Sequence, residues 1–192
     1  MQSQAYQDDM SLLEARSLIF KRSNLGADGG YSSKWVRVEA PIPLGFPNWQ
    51  GRVAAARQHD LHHIALDYKT DWPGEVEIAA WEIASSCRGY FAAWLLDLGG
   101  MNVGMLIAPR RMFRAFVRGR RAKTNLYKEP IAESQLSRVT VGALRDRLEP
   151  ANPRPKATAA DTALFASSCA AALLVFEVVP LVAVLVGRRL LR

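Results

Sequence analysis

The sequence predicts an all-α fold, a single helical domain followed by a C-terminal transmembrane helix. Three observations predict it. Apolar residues recur three and four apart through most of the chain between Arg52 and Leu148, the spacing that gives a helix one buried face. Proline and glycine gather between those stretches and punctuate them. From Thr162 to Gly187 the chain is almost wholly apolar or small, long enough at helical rise to cross the hydrocarbon core of a bilayer. At 192 residues there is room for one packed core and an appendage, not for two full domains.

Leu12, Leu13, Leu18, Ile19 and Phe20 predict a first short helix between Met10 and Arg22, within an otherwise irregular region 1–50. Residues 23–50 carry Gly26, Gly29, Gly30, Pro41, Pro43, Gly45 and Pro47 and read as loop, with one strand-like run at Trp35–Val38. A helical domain over 51–149 begins with a helix at Arg52–Leu66. A second helix is expected from Glu75 to about Leu98, where Ile78, Trp81, Ile83, Tyr90, Phe91, Trp94 and Leu95 are apolar. Gly99, Gly100 and Gly104 mark a turn. Pro109 suits the first turn of a further helix reaching about Tyr127, and Ser137–Leu148 fits the last. Pro150, Pro153 and Pro155 make residues 150–161 a stiff linker, and 162–192 a membrane anchor.

Glu177 and Pro180 lie inside the apolar run, a carboxylate being costly in lipid and a proline bending a helix. A core helix or the helix of a homodimer is therefore the competing reading. Arg188, Arg189 and Arg192 follow the run where headgroups would be, and basic residues on both sides leave its orientation open. The N-terminus shows no basic and apolar leader, and Asp8, Asp9 and Glu14 are unlike an organelle transit peptide. A bacterial inner membrane is thus expected rather than a mitochondrial one. Two cysteines without a Cys-x-x-Cys pair exclude a disulfide framework, and the soluble part is expected to face a reducing compartment.

The formal net charge is +7 and the pI near 9.8. Much of that charge lies between Leu98 and Lys128, where no acidic residue occurs. Arg110, Arg114, Arg118 and Arg121 follow a four-four-three spacing that places them on one helix face beside Met112, Phe113, Phe116 and Val117. Such a face suits an anionic membrane or another anionic group. No aromatic base-stacking ladder or nucleic-acid motif accompanies it, so no nucleic-acid partner is expected.

All three histidines fall within His59-Asp60-Leu61-His62-His63. On a helix His59 and His63 share a face, with Asp60 beside them. Glu75 follows the turn Thr70-Asp71-Trp72-Pro73-Gly74, where it can fold back toward His63. His59, Asp60, His63 and Glu75 are thus four candidate ligands for a divalent metal. Imidazole and carboxylate together favour zinc, with iron or manganese also suited.

The pattern His-Asp-x-x-His, eleven residues and Glu resembles the hallmark of the coenzyme Q (ubiquinone) biosynthesis protein 4 family. The likeness extends to Arg57, Thr70, Gly74-Glu75, Trp81-Glu82 and Ala108-Pro109-Arg110. It continues through Gly119-Arg120-Arg121-Ala122, Asn125-Leu126-Tyr127, Glu129 and Leu144-Arg145-x-x-Leu148, covering residues 50–149. The chain departs from the family at His62, where an aromatic or aliphatic residue is usual, and at Asp67, where a turn glycine is expected. The resemblance implies a metal-dependent decarboxylase of lyase type in ubiquinone biosynthesis. Its substrate is a polyprenylated benzoate whose ring loses its carboxyl and gains a hydroxyl at the same carbon. The implied partners are that polyprenylated aromatic lipid, the membrane and other ubiquinone biosynthesis proteins. Catalysis is assigned to His59, Asp60, His63 and Glu75 through the metal.

Zinc has no redox chemistry, so oxygen insertion requires another agent or an iron or manganese centre. The alternative is a non-catalytic lipid-binding scaffold that organises ubiquinone biosynthesis enzymes at the membrane. A His-Asp phosphohydrolase would need a histidine upstream of His59, and a His-Glu-x-x-His peptidase would need Glu in place of Asp60; both are disfavoured.

Overall fold

The computed structural model describes residues 6–24, 26–38, 44–150, 156–181 and 184, and they are mostly helical. In chain order the elements are α1 (Leu12–Arg22), β1 (Trp35–Val38), β2 (Leu44–Pro47), α2 (Gln50–Leu66), α3 (Trp72–Ser85) and α4 (Phe91–Ile107). They continue with α5 (Pro109–Gly119), a 3-10 turn at Glu133–Gln135, α6 (Val141–Leu148) and α7 (Ala159–Leu173), which runs on as a π turn at Leu174–Val178. The helical fold expected from periodicity is present, and one helix, Ala159–Leu181, is long and apolar enough to cross a membrane.

α1 starts where Ser11 and Glu14 form a reciprocal capping box. It belongs to the main core rather than to an irregular preface. Leu12, Ile19 and Phe20 share one buried cluster with Leu61, Trp81 and Leu144. Arg16 clamps Glu133 through two hydrogen bonds of 2.8 and 2.7 Å, tying α1 to the 3-10 turn. The expected strand at Trp35–Val38 pairs antiparallel with β2, Trp35 opposite Pro47 and Val38 opposite Leu44. β2 is not apparent from the sequence because Gly45 and Pro47 are loop-like residues; a two-stranded ribbon tolerates both at its edge.

The single helix expected over 75–98 is two helices. α3 stops at Ser85, Ser86 turns to φ 93° and Gly89 to φ 81°, and α4 begins at Phe91. Asn125 holds this break by donating to the Ser85 hydroxyl at 2.9 Å and to the Ser86 carbonyl at 2.7 Å. Gly99, Gly100 and Gly104 form no turn. They lie within α4, where small residues let helices approach; a Cβ on Gly100 would stand 2.8 Å from that of Ala79. α5 ends at Gly119, well before Tyr127; residue 119 must be glycine because the Trp81 carbonyl occupies the place of a Cβ. α6 starts only at Val141, after Thr140 caps it.

α7 begins inside the expected linker, since Thr158 and Asp161 form another capping box. Asp161 also accepts hydrogen bonds from Arg121 at 3.1 and 2.7 Å, and Phe165 meets Phe113 and Phe116 edge-on, so the helix is fastened along α5. The π turn answers Pro180, whose ring lacks a donor and crowds the preceding turn. There the Val179 N–H bonds the Leu174 carbonyl instead. The prolines at 153 and 155 and the arginines at 188, 189 and 192 lie outside the described residues.

Candidate metal centre

α2 places His59 and His63 one turn apart, with ring centroids 4.7 Å apart and edge-to-face. α3 supplies Glu75 from its first turn. Asp71 caps that turn by accepting from the Gly74 N–H at 2.9 Å, and Gly74 must be glycine because the Lys69 carbonyl fills the place of a Cβ. Asp67 takes the left-handed conformation at φ 59°, which aspartate tolerates better than most residues. The returning chain brings Glu75 Oε2 to 3.3 Å from His59 Nε2 and Oε1 to 3.4 Å from His63 Nε2. The two Nε2 atoms stand 3.1 Å apart. One donor atom from each of the three residues lies within 4.8 Å of the others.

Hydrogen bonds on the far side of each ring set what these atoms can do. His63 Nδ1 faces the Tyr68 carbonyl at 3.0 Å, and a carbonyl only accepts, so Nδ1 carries the proton and Nε2 presents a lone pair. His59 Nδ1 lies 3.1 Å from both oxygens of Glu82. That is the carboxylate–imidazole arrangement that orients a metal-binding histidine. Burial disfavours a charged His59, but Glu82 and Glu75 outweigh it and raise its pKa well above the ordinary value. For Glu75 burial likewise works against ionisation, and the His63 and His59 imidazoles hold its carboxyl far below the usual range. The raised pKa makes His59 the cationic partner of Glu82 and Glu75; a divalent cation could hold the same place by displacing its Nε2 proton, and zinc, iron or manganese all accept two imidazoles and a carboxylate. The Glu75 side chain is 40% exposed, which leaves that place open on one side.

Asp60 is not brought into this cluster. It lies one residue round the helix from His59, and its carboxylate accepts from the Tyr31 hydroxyl instead. His62 points into the core. Its Nδ1 meets Glu82 at 2.6 Å, its Nε2 accepts from the Leu126 N–H at 3.0 Å, and burial lowers its pKa, so it is neutral.

Glu82 is a hub that the spacing of histidines and acids does not reveal. Fully buried, it receives His59, His62 and the Tyr127 hydroxyl at 2.9 Å, and although burial opposes ionisation, His59 and His62 hold its pKa well below the ordinary value. Behind it lies Asp97, whose pKa burial and the Glu82 charge push well above the ordinary value. Cys87 donates its thiol to Asp97 at 3.2 Å. Only the aromatic-acid step at Trp81-Glu82 hinted at this layer. A cavity of about 700 Å³ opens beside α2, lined by Tyr31, Asn48, Arg57, Gln58, Tyr90 and Glu133 among others. Tyr31 joins it to Asp60.

The arginine stripe divides. Arg118 is committed to Glu149 at 2.5 and 2.6 Å and to the Leu66 carbonyl at 3.0 Å, and Arg121 to Asp161. Arg110 and Arg114 are exposed and form no ion pair among the described residues. No protein-family model, curated protein or solved structure matches the chain.

Proposed function

We propose that this chain is a membrane-seated, metal-dependent enzyme of ubiquinone biosynthesis. It acts on a polyprenylated hydroxybenzoate, removing the ring carboxyl and placing a hydroxyl on the same carbon. The observation that supports this most is the convergence of His59, His63 and Glu75, three residues separated in sequence as the family motif requires. Three protein ligands with an open side suit a reacting group better than a purely structural ion, which is usually enclosed by four.

A bound divalent ion would supply Lewis acidity toward the ring carboxylate or its neighbouring hydroxyl. The residues of the chain do the rest. His59, His63 and Glu75 would hold the ion, with Glu82 fixing the His59 ring and the Tyr68 carbonyl that of His63. Departure of carbon dioxide leaves an electron pair on the ring carbon, and forming the new C–O bond consumes a two-electron oxidant such as molecular oxygen. With zinc at the site that oxidant must be activated elsewhere. The apolar helix Ala159–Leu181 fits a substrate that resides in lipid.

Replacing His63 or Glu75 by Ala in cells that depend on this chain for ubiquinone tests the proposal. Accumulation of a single ring-carboxylated polyprenyl precursor, at normal protein level and with partner proteins still assembled, is expected. Dispersal of the partners with several intermediates appearing together favours the scaffold. Ubiquinone made at the wild-type rate removes the metal from either role.

A further inference from the structure

α4 carries a lipid-like face that the tail helix alone does not explain. Its seventeen residues contain one charged side chain, Asp97, and that is turned inward. Its one amide, Asn102, donates to Glu177 of the π turn at 2.9 Å. Gly99 lets the Phe176 ring settle against the same helix; a Cβ there would lie 3.1 Å from it. With both polar side chains committed, α4 shows the solvent a face of Leu96, Val103, Leu106 and Ile107, which lie within about a third of the helix circumference. Leu106 is 88% exposed and Ile107 49%. A helix bathed in water seldom turns its apolar residues outward while pairing its polar ones.

We infer that α4 is a second lipid-embedded helix, packed along α7 so that bilayer lipid covers Leu96, Val103, Leu106 and Ile107. The domain therefore sits in the bilayer surface instead of hanging from a tether. Two observations select lipid as the occupant. The face is continuous with Ala159–Leu181 through the Asn102 and Phe176 contacts, and Arg110 and Arg114, exposed and without an ion pair among the described residues, open α5 three to eight residues after Leu106 and Ile107, where anionic headgroups would meet them. A second copy of the chain docked by a two-fold axis at this end of α4 would bring those arginines toward their own counterparts. The inference rests on the proposed membrane seating of α7.

The test uses the full chain in vesicles of phosphatidylcholine and phosphatidylglycerol, some with brominated acyl chains. The variant Leu106→Trp should add emission that is blue-shifted and quenched by the brominated lipid, relative to wild type. Leu106→Asp with Ile107→Asp should leave the chain anchored through α7 at unchanged helix content, since both sites are exposed, but speed amide hydrogen exchange at the end of α4 in vesicles. Arg110→Gln with Arg114→Gln should speed exchange at the same segment in phosphatidylglycerol vesicles and have no effect in pure phosphatidylcholine. Vesicle binding with an unquenched, water-like Leu106→Trp overturns the inference and leaves α7 as sole anchor. Blue-shifted but unquenched emission with a dimeric mass overturns it in favour of a second copy. Failure of the wild type to bind vesicles at all removes the membrane seating itself.

Discussion

Both carboxylate oxygens of Glu82 lie 3.1 Å from Nδ1 of His59, so the buried acid grips the imidazole from behind while Nε2 faces Glu75 and His63. Glu82→Gln keeps the shape but offers one acceptor where His59, His62 and Tyr127 all seek one. Zinc affinity, measured by competition with a chelating dye, should fall by roughly 10–100-fold. The variant should also lose about 3 kcal/mol of stability. Tyr127→Phe separates the two effects. It should cost about 1 kcal/mol in urea unfolding while leaving zinc affinity near wild type.

Asp60 and Glu75 are both carboxylates of the motif, yet only Glu75 faces the imidazoles. Asp60→Asn should therefore retain one bound metal per chain by elemental analysis, whereas Glu75→Ala should lose it. Equal loss in both variants would show that Asp60 swings from Tyr31 to the ion when the ion binds.

Gly100→Val places a branched side chain where Ala79 already stands, with the first added carbon only 2.8 Å away. Forcing α3 and α4 apart should cost about 1–3 kcal/mol. A thermal midpoint equal to that of wild type would contradict the close crossing of these helices.

The Arg16 hydrogen bonds lower the pKa of Glu133 against a smaller opposing effect of burial. A depressed folded-state value contributes stability above the unfolded carboxyl pKa of about 4.3 and loses it as pH falls through the folded value. Glu133 is 46% exposed, so solvent screening limits the contribution to on the order of 1 kcal/mol at most. The gap in urea midpoint between wild type and Glu133→Gln should be open at pH 7 and shrink as the pH is taken down through the acid range. A gap constant with pH would mean that the pair contributes nothing electrostatic.

What the sequence could tell depended on whether the deciding interaction was local. His59, His63 and Glu75 lie on adjacent helices joined by a short turn, so helical spacing alone brings them together. The break between α3 and α4 was hidden because apolar periodicity continues through Tyr90 and Phe91, while the residue that holds it, Asn125, is far along the chain. Glu82 was visible but unreadable, since burial and three donors, not spacing, give it its role. Helical spacing puts Arg118 and Arg121 in one stripe with Arg110 and Arg114, although α5 ends at Gly119, before Arg121. Only the fold reveals that Glu149 and Asp161 claim the first two.

The turn that carries the chain from His63 to Glu75 has a bearing on how the protein matures. Residues so near in sequence are brought together at small loop-closure cost, so an ion held there gains little by restricting the unfolded chain. Metal and scaffold are then energetically separable. The helices can assemble first around Trp81 and Leu61, and the proposed ion would load afterwards into a site already shaped by Asp71, Tyr68 and Glu82. If the proposed ion is bound, chelation should loosen the stretch from Asp67 to Glu75 and leave the core intact, a division of labour in which the fold would prepare the ion's place without depending on its arrival.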